Sequence, residues 1–147
     1  MTTTLITAVL ALATITGTDG RDTITGTAGP DRIHALAKDD IVRAGGGHDL
    51  IDGGTGEDVL SAGSGNDRAY GRSGKDRLDG GPGADRLLGS TGGDRLTGGP
   101  GPDTLIGGKD DDTILARDGV RDRISCGSGK NDRVIADRRD VVAGDCE

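Results

Sequence analysis

The sequence predicts an all-β fold, a parallel β-solenoid of tandem nine-residue units that ends in a C-terminal cap. Three observations predict it. An Asp recurs at every ninth residue, an aliphatic residue follows two positions later with the same period, and glycines crowd the residues before each Asp. An ordinary globular core is excluded by composition. Of 147 residues 31% are hydrophobic, Phe and Trp are absent, and Tyr70 is the one aromatic, whereas most cores lean on aromatic area.

With Gly53-Gly54-Thr55-Gly56-Glu57-Asp58-Val59-Leu60-Ser61 as the unit, the sixth position is Asp at 22, 31, 40, 49, 58, 67, 76, 85, 94, 103 and 112. The eighth is Ile24, Ile33, Val42, Ile51, Leu60, Ala69, Leu78, Leu87, Leu96, Leu105 and Ile114. The fourth is Gly20, Gly29, Gly47, Gly56, Gly65, Gly74, Gly83, Gly92 and Gly101, interrupted by Lys38 and Asp110. The first is Gly or Ala throughout, and Gly45, Gly54, Gly63, Gly81, Gly99 and Gly108 fill the second.

A period of nine matches no helical repeat, and this density of Gly would itself destabilise helices. One apolar residue flanked by two outward neighbours reads as a strand of about three residues. The preceding six read as a turn whose glycines supply backbone angles that other residues avoid. Stacked about 4.8 Å apart, two facing rows of eighth-position side chains make a thin core. The phase extends upstream to Thr14-Ile15-Thr16. Without such a repeat, 29 Gly and 29% charged residues would read as disorder. A repeating aliphatic core, a bound ion, or both must fold the chain.

The pattern GGxGxDxUx, with U a large aliphatic, resembles the calcium-binding nonapeptide repeat of the repeats-in-toxin (RTX) family. The resemblance runs from Gly17 to Leu115 and loosely into the tail. It implies a β-roll whose loops alternate between two edges, so that residues 18 apart share an edge and each Ca²⁺ lies between a loop and the one two units later. One edge then holds Asp31, Asp49, Asp67, Asp85 and Asp103, and the other Asp22, Asp40, Asp58, Asp76, Asp94 and Asp112. The implied ligands are the carboxylates of Asp22, Asp31, Asp49, Asp58, Asp67, Asp76, Asp85, Asp94, Asp103 and Asp112. They are joined by the main chain at Gly45, Gly47, Gly54, Gly56, Gly63, Gly65, Gly81, Gly83, Gly99 and Gly101. Asp40 is left out, because its loop carries Leu36 and Lys38 where Gly belongs. Asp110 is a smaller departure, since Asp tolerates left-handed angles better than Lys.

Chemistry favours the same ion. Carboxylates stacked at strand spacing repel one another when bare. A hard divalent cation removes that cost, and Ca²⁺ accepts about six to eight oxygens in flexible geometry, whereas Mg²⁺ demands a tighter octahedron. Columns of thiolate or imidazole, which zinc or copper would need, are missing. The competing reading is an Asp ladder serving turn chemistry alone. A net charge of −7 and a pI near 4.7 make nucleic acid and anionic membranes poor partners and cations good ones.

Residues 1–13 read as a signal peptide. The apolar stretch Leu5–Ala13 is too short to span a bilayer and ends in the small-x-small triplet Ala11-Leu12-Ala13. The alternative is an N-terminal strand or cap. Residues 14–115 form the roll, and residues 116–147 form degenerate repeats and a cap. There Asp122 and Asp132 follow at intervals of ten, and the extra residue argues against standard ligation. Cys126 and Cys146 lie two of these longer units apart, on adjacent rungs within disulfide reach, which fits an oxidising, extracellular compartment.

The arginines Arg32, Arg68, Arg77, Arg86 and Arg95 occupy the outward seventh position and read as solvated surface that offsets Asp charge. His34 and His48 lack a nucleophile or a paired carboxylate, so the chain reads as a secreted, monomeric calcium binder and not as an enzyme. The rival roles are an adhesin or polymer-binding module for a cell-surface or matrix polymer, the carrier repeats of a larger exported hydrolase, and an ice-binding face. Thr14/Thr16 and Thr23/Thr25 begin such a face, but it stops after two units.

Overall fold

The computed structural model describes residues 4–7 and 13–146. Every element among them is a strand: β1 (Thr4–Thr7), β2 (Thr14–Thr16), β3 (Asp22–Thr25), β4 (Arg32–His34), β5 (Ile41–Gly46), β6 (Leu50–Thr55), β7 (Val59–Ser64) and β8 (Arg68–Ser73), followed by β9 (Arg77–Asp79), β10 (Arg86–Thr91), β11 (Arg95–Thr97), β12 (Thr104–Lys109), β13 (Thr113–Ala116), β14 (Arg123–Ser128), β15 (Arg133–Ala136) and β16 (Val141–Val142).

Odd-numbered strands form one eight-stranded sheet in the order β1-β3-β5-β7-β9-β11-β13-β15, and even-numbered strands form the other, β16-β14-β12-β10-β8-β6-β4-β2. All pairings are parallel, and through the repeats each residue lies beside the one 18 later, as Leu60 lies beside Leu78 and Leu87 beside Leu105. The molecule is a parallel β-roll of about seven turns. Thr4–Thr7, inside the segment read as a signal peptide, pairs with β3 in the same register. Most of the rest of that segment, residues 8–12 with the cleavage triplet's first two members, lies outside the described residues.

Strand alternation explains the core. In Asp58-Val59-Leu60-Ser61-Ala62 the first, third and fifth residues are buried, and Val59 faces out. Each rung thus turns three side chains inward: the Asp, the aliphatic residue and the small first residue of the next unit. The eighth-position row from Ile24 to Ile114 is buried throughout, with Ala35, Ala44, Ala62, Ala116 and Cys126 packed beside it. Several strands run to six residues, longer than the three that the apolar pattern suggests. In them the ladder continues past the aliphatic residue, so that Gly45 pairs with Gly63 and Gly54 with Arg72.

Past Leu115 the longer loops keep the strands in line. β12 pairs with β14 at a spacing of 19 and β13 with β15 at a spacing of 20, so the extra residues bulge from the loops while the core row continues through Ile124. The Cys126–Cys146 disulfide is present, with Cα atoms 5.1 Å apart. Its geometry differs from two stacked ten-residue units. β16 pairs with β14 at a spacing of 18, and a turn closed by the Cys146 N–H on the Ala143 carbonyl brings Cys146 back beneath Cys126.

Candidate metal centre

The inward turn of the sixth position buries the whole Asp column on both edges of the roll. Asp22, Asp31, Asp40, Asp49, Asp58, Asp67, Asp76, Asp85, Asp94, Asp103 and Asp112 are all buried, and so are Asp122 and Asp132 in the tail. From Asp40 and Asp49 onward each Oδ1 accepts a hydrogen bond from the backbone N–H of the Asp one rung back on its edge, while Asp31 Oδ1 accepts the Ala13 N–H. Asp49 N–H donates to Asp67 at 2.7 Å and Asp67 N–H to Asp85 at 2.8 Å. The ladder passes through Asp40 without interruption and extends from Asp103 to Asp122 and from Asp112 to Asp132.

The second oxygen is different. The Oδ2 atoms of Asp40, Asp49, Asp58, Asp67, Asp76, Asp85, Asp94, Asp103, Asp112 and Asp122 are buried and have no hydrogen-bond partner. A bare buried carboxylate is among the costliest groups a fold can hold. Burial, reinforced by neighbouring carboxylates, pushes Asp94 and Asp103 up to about 7, and it pushes Asp40, Asp49, Asp58, Asp76, Asp85 and Asp112 up to about 6. Asp67 and Asp122 are raised for the same first cause.

The loops supply further oxygens. From Ala35–Asp40 to Gly107–Asp112, all nine loops hold both their second and fourth residues in the left-handed region, as at Gly45 (φ 115°) and Gly47 (φ 120°). Five residues with a Cβ adopt these angles too: Leu36 (84°), Lys38 (74°), Arg72 (81°), Ser90 (91°) and Asp110 (76°). The loop that departs most in sequence therefore has the same backbone as its neighbours. Glycine is required where rungs crowd: a Cβ on Gly65 or Gly83 would run into the carbonyl oxygen of Gly47 or Gly65, one rung back. The carbonyls of Gly47, Gly65 and Gly83 accept no hydrogen bond among the described residues.

No three His, Cys, Asp or Glu side chains converge among the described residues. Any ion here would draw on carboxylate Oδ2 atoms and main-chain carbonyls together, a hard, oxygen-only donor set that fits Ca²⁺. A scan against family models finds the RTX calcium-binding nonapeptide repeat in four copies, over residues 16–51, 25–60, 52–87 and 88–120. The chain belongs to the RTX calcium-binding nonapeptide repeat family. No individual curated protein matches it significantly. As in other RTX repeats, the matched units are calcium-binding motifs in a β-roll. Asp122, with its orphaned oxygen, lies just past the last matched copy.

The first two RTX loops differ from the nine that follow. Neither Thr18 and Gly20 nor Thr27 and Gly29 adopts left-handed angles. The Thr18 N–H donates to Asp22 Oδ2 at 2.5 Å, and the Thr27 N–H to Asp31 Oδ2 at 2.6 Å. The repeat pattern alone groups Asp22 and Asp31 with the ligands and sets Asp40 apart. By geometry Asp40 stands with the orphaned group, while Asp22 and Asp31 are satisfied by their own loops. The threonine at the second position is the sequence signal that marks these two loops.

Outside the loops, Arg68 aligns with Arg86 and Arg77 with Arg95 on outward faces. The ion pairs among the described residues are Arg21–Asp39 and Arg72–Asp52, so the stacked arginines stand apart from both. His48 Nδ1 accepts the Asn66 N–H at 2.8 Å, a loop contact on the surface. Among the described residues no helix is long and apolar enough to cross a membrane.

Proposed function

We propose that this chain is an exported calcium-stabilised β-roll, in which Ca²⁺ ions held between successive loops drive and maintain the fold, and that it performs no catalysis of its own. The observation that carries the reading is the column of ten buried carboxylate oxygens with no partner. The residues that would hold calcium are Asp40 through Asp112 and Asp122, together with carbonyls such as those of Gly47, Gly65 and Gly83. The bound ion supplies positive charge. The residues around it supply the cage: Oδ1 fixes each carboxylate against the neighbouring rung, and the left-handed pairs shape the turns. Export is supported by the Cys126–Cys146 disulfide, which persists in oxidising compartments.

The test is circular dichroism of the purified chain in chelator and at rising Ca²⁺. The β-type signal is expected only with calcium, with a midpoint of roughly 0.1–1 mM as in extracellular modules. Mg²⁺ at equal concentration should substitute poorly. Identical spectra in chelator and in calcium would remove the reading. The stacked Arg68/Arg86 and Arg77/Arg95 pairs support a second role beside it, adhesion to an acidic envelope polymer. Retention of the calcium-loaded chain on envelope material tests that role.

A further inference from the structure

The threonine hydroxyls of the first two loops sit where the other loops leave an oxygen orphaned. Thr27 Oγ1 lies 3.1 Å from both carboxylate oxygens of Asp31, accepts the Gly29 N–H at 3.1 Å and lies 3.2 Å from the Gly29 carbonyl oxygen, so that its one proton is free to go to the carboxylate. Thr18 Oγ1 repeats most of this: it lies 3.2 and 3.1 Å from the two oxygens of Asp22 and accepts the Gly20 N–H at 3.1 Å. In both loops the second-position N–H also turns onto the carboxylate. In the nine loops that follow, the second residue is left-handed and its N–H makes no such bond, the Asp Oδ2 being without a partner in each. Gly63 donates to the Gly80 carbonyl and Gly81 to the Gly98 carbonyl, each at 3.1 Å on the next rung. Asp22 and Asp31 are accordingly missing from the orphaned oxygens, although they are as buried as the rest.

We infer that the first two loops close without metal, the Thr18 and Thr27 side chains and amides taking the place of the ion, and that calcium ligation begins at Asp40 and runs through Asp122. A carboxylate already holding an N–H and a hydroxyl has lost the lone pairs a hard cation would use, and the N–H presents positive charge to it. The two loops then form a metal-independent N-terminal template on which calcium-dependent rungs stack. This inference rests on the calcium reading above.

The test counts bound calcium by equilibrium dialysis of the full chain at saturating Ca²⁺, with circular dichroism to verify the fold of each variant. Asp67→Asn should lower the count by about one ion per chain, and Asp31→Asn should leave it unchanged. Thr27→Gly, which gives the loop the glycine found in its neighbours, should raise the count by about one. Equal losses in Asp31→Asn and Asp67→Asn overturn the inference while leaving calcium binding intact. An unchanged count in Thr27→Gly overturns the role given to the hydroxyl, and it does so even if Asp31→Asn fails to fold. No loss in either Asp variant removes the calcium reading itself, and this inference with it.

Discussion

The nine loops between Ala35 and Asp112 and the rungs after Leu115 hold the same roll together by different means. In the nine loops every rung adds a buried carboxylate with a bare oxygen, so each turn of the roll brings charge that something outside the chain must neutralise. The C-terminal rungs carry fewer such groups and a weaker core. Ile124 is buried, Val134 is only partly so, and Val141 and Val142 are exposed. What ties them is covalent, with the Asp145 carboxylate adding bonds to the Ser125 hydroxyl and the Gly127 N–H. The contrast teaches that a solenoid with little apolar area has two ways to resist fraying. It can take a ligand at every rung or place one crosslink at the end.

The largest effect that separates the regions is pH in the absence of calcium. The carboxylates of Asp94 and Asp103 are raised to about 7 and several others to about 6, from a starting value of 3.8. The native state therefore holds more protons than the unfolded chain between those values. The stability these groups contribute is fully present below about pH 4 and is lost as pH rises through 6 to 7. In chelator, the β-type circular dichroism should appear on acidification and vanish toward pH 8. A signal unchanged from pH 4 to pH 8 would show that the column is not what limits the fold. With calcium present the dependence should reverse, because the ion competes with those protons and binds more tightly as pH rises.

Next in size is the disulfide. Closing a loop of 20 residues contributes roughly 3 kcal/mol through the unfolded chain. Cys126→Ser with Cys146→Ser should therefore loosen the end first. Limited proteolysis of the calcium-loaded variant should cut between Arg121 and Arg139 while the repeats persist. Cleavage scattered through residues 40–112 would mean that the crosslink supports the whole roll.

A smaller difference sharpens the boundary of the ion-dependent block. Asp40 has the same ladder bonds and the same orphaned oxygen as Asp67. Asp40→Asn and Asp67→Asn should each move the calcium midpoint of folding upward by about threefold, by similar amounts. An unshifted Asp40 variant would return that loop to the outlier status its sequence suggests.

That loop shows where sequence reading stops. The period of nine is enough to place the aliphatic residues on an inward face, and the family resemblance supplies the spacing of 18, because strand alternation and rung stacking leave little choice. The inward turn of the Asp column and the turn that seats Cys146 beside Cys126 are visible only in the fold. Nor is the period enough to judge single loops. Leu36 and Lys38 look disqualifying by propensity, yet the ladders on either side hold them in glycine's conformation. Thr18 and Thr27 look like ordinary turn filler, and only the aim of a hydroxyl sets them apart. The longer tail loops argue against standard ligation, but an extra residue can bulge outward without disturbing the strand, so Asp122 keeps its rung and an unpartnered oxygen. Tertiary context overrides local preference at these positions, and local preference is all that a pattern records.

The smallest predicted effect tests that override directly. Lys38 sits at φ 74°, where a Cβ crowds its own backbone at roughly 1 kcal/mol or more. Lys38→Gly removes that strain, and the greater freedom of glycine in the unfolded chain offsets part of the gain. The calcium-loaded roll should gain at most about 1 kcal/mol, seen as a higher midpoint in urea with an unchanged slope. The reverse change at the equivalent position two units on, Gly56→Lys, should cost more than that, since its Cβ would meet the backbone of Lys38 and lie 2.9 Å from the Asp39 nitrogen. If Lys38→Gly instead destabilises the roll, the lysine is contributing something other than strain. Its proximity to Asp39, whose carboxyl is held low first by the Glu57 N–H and then by Arg21, is the first place to look.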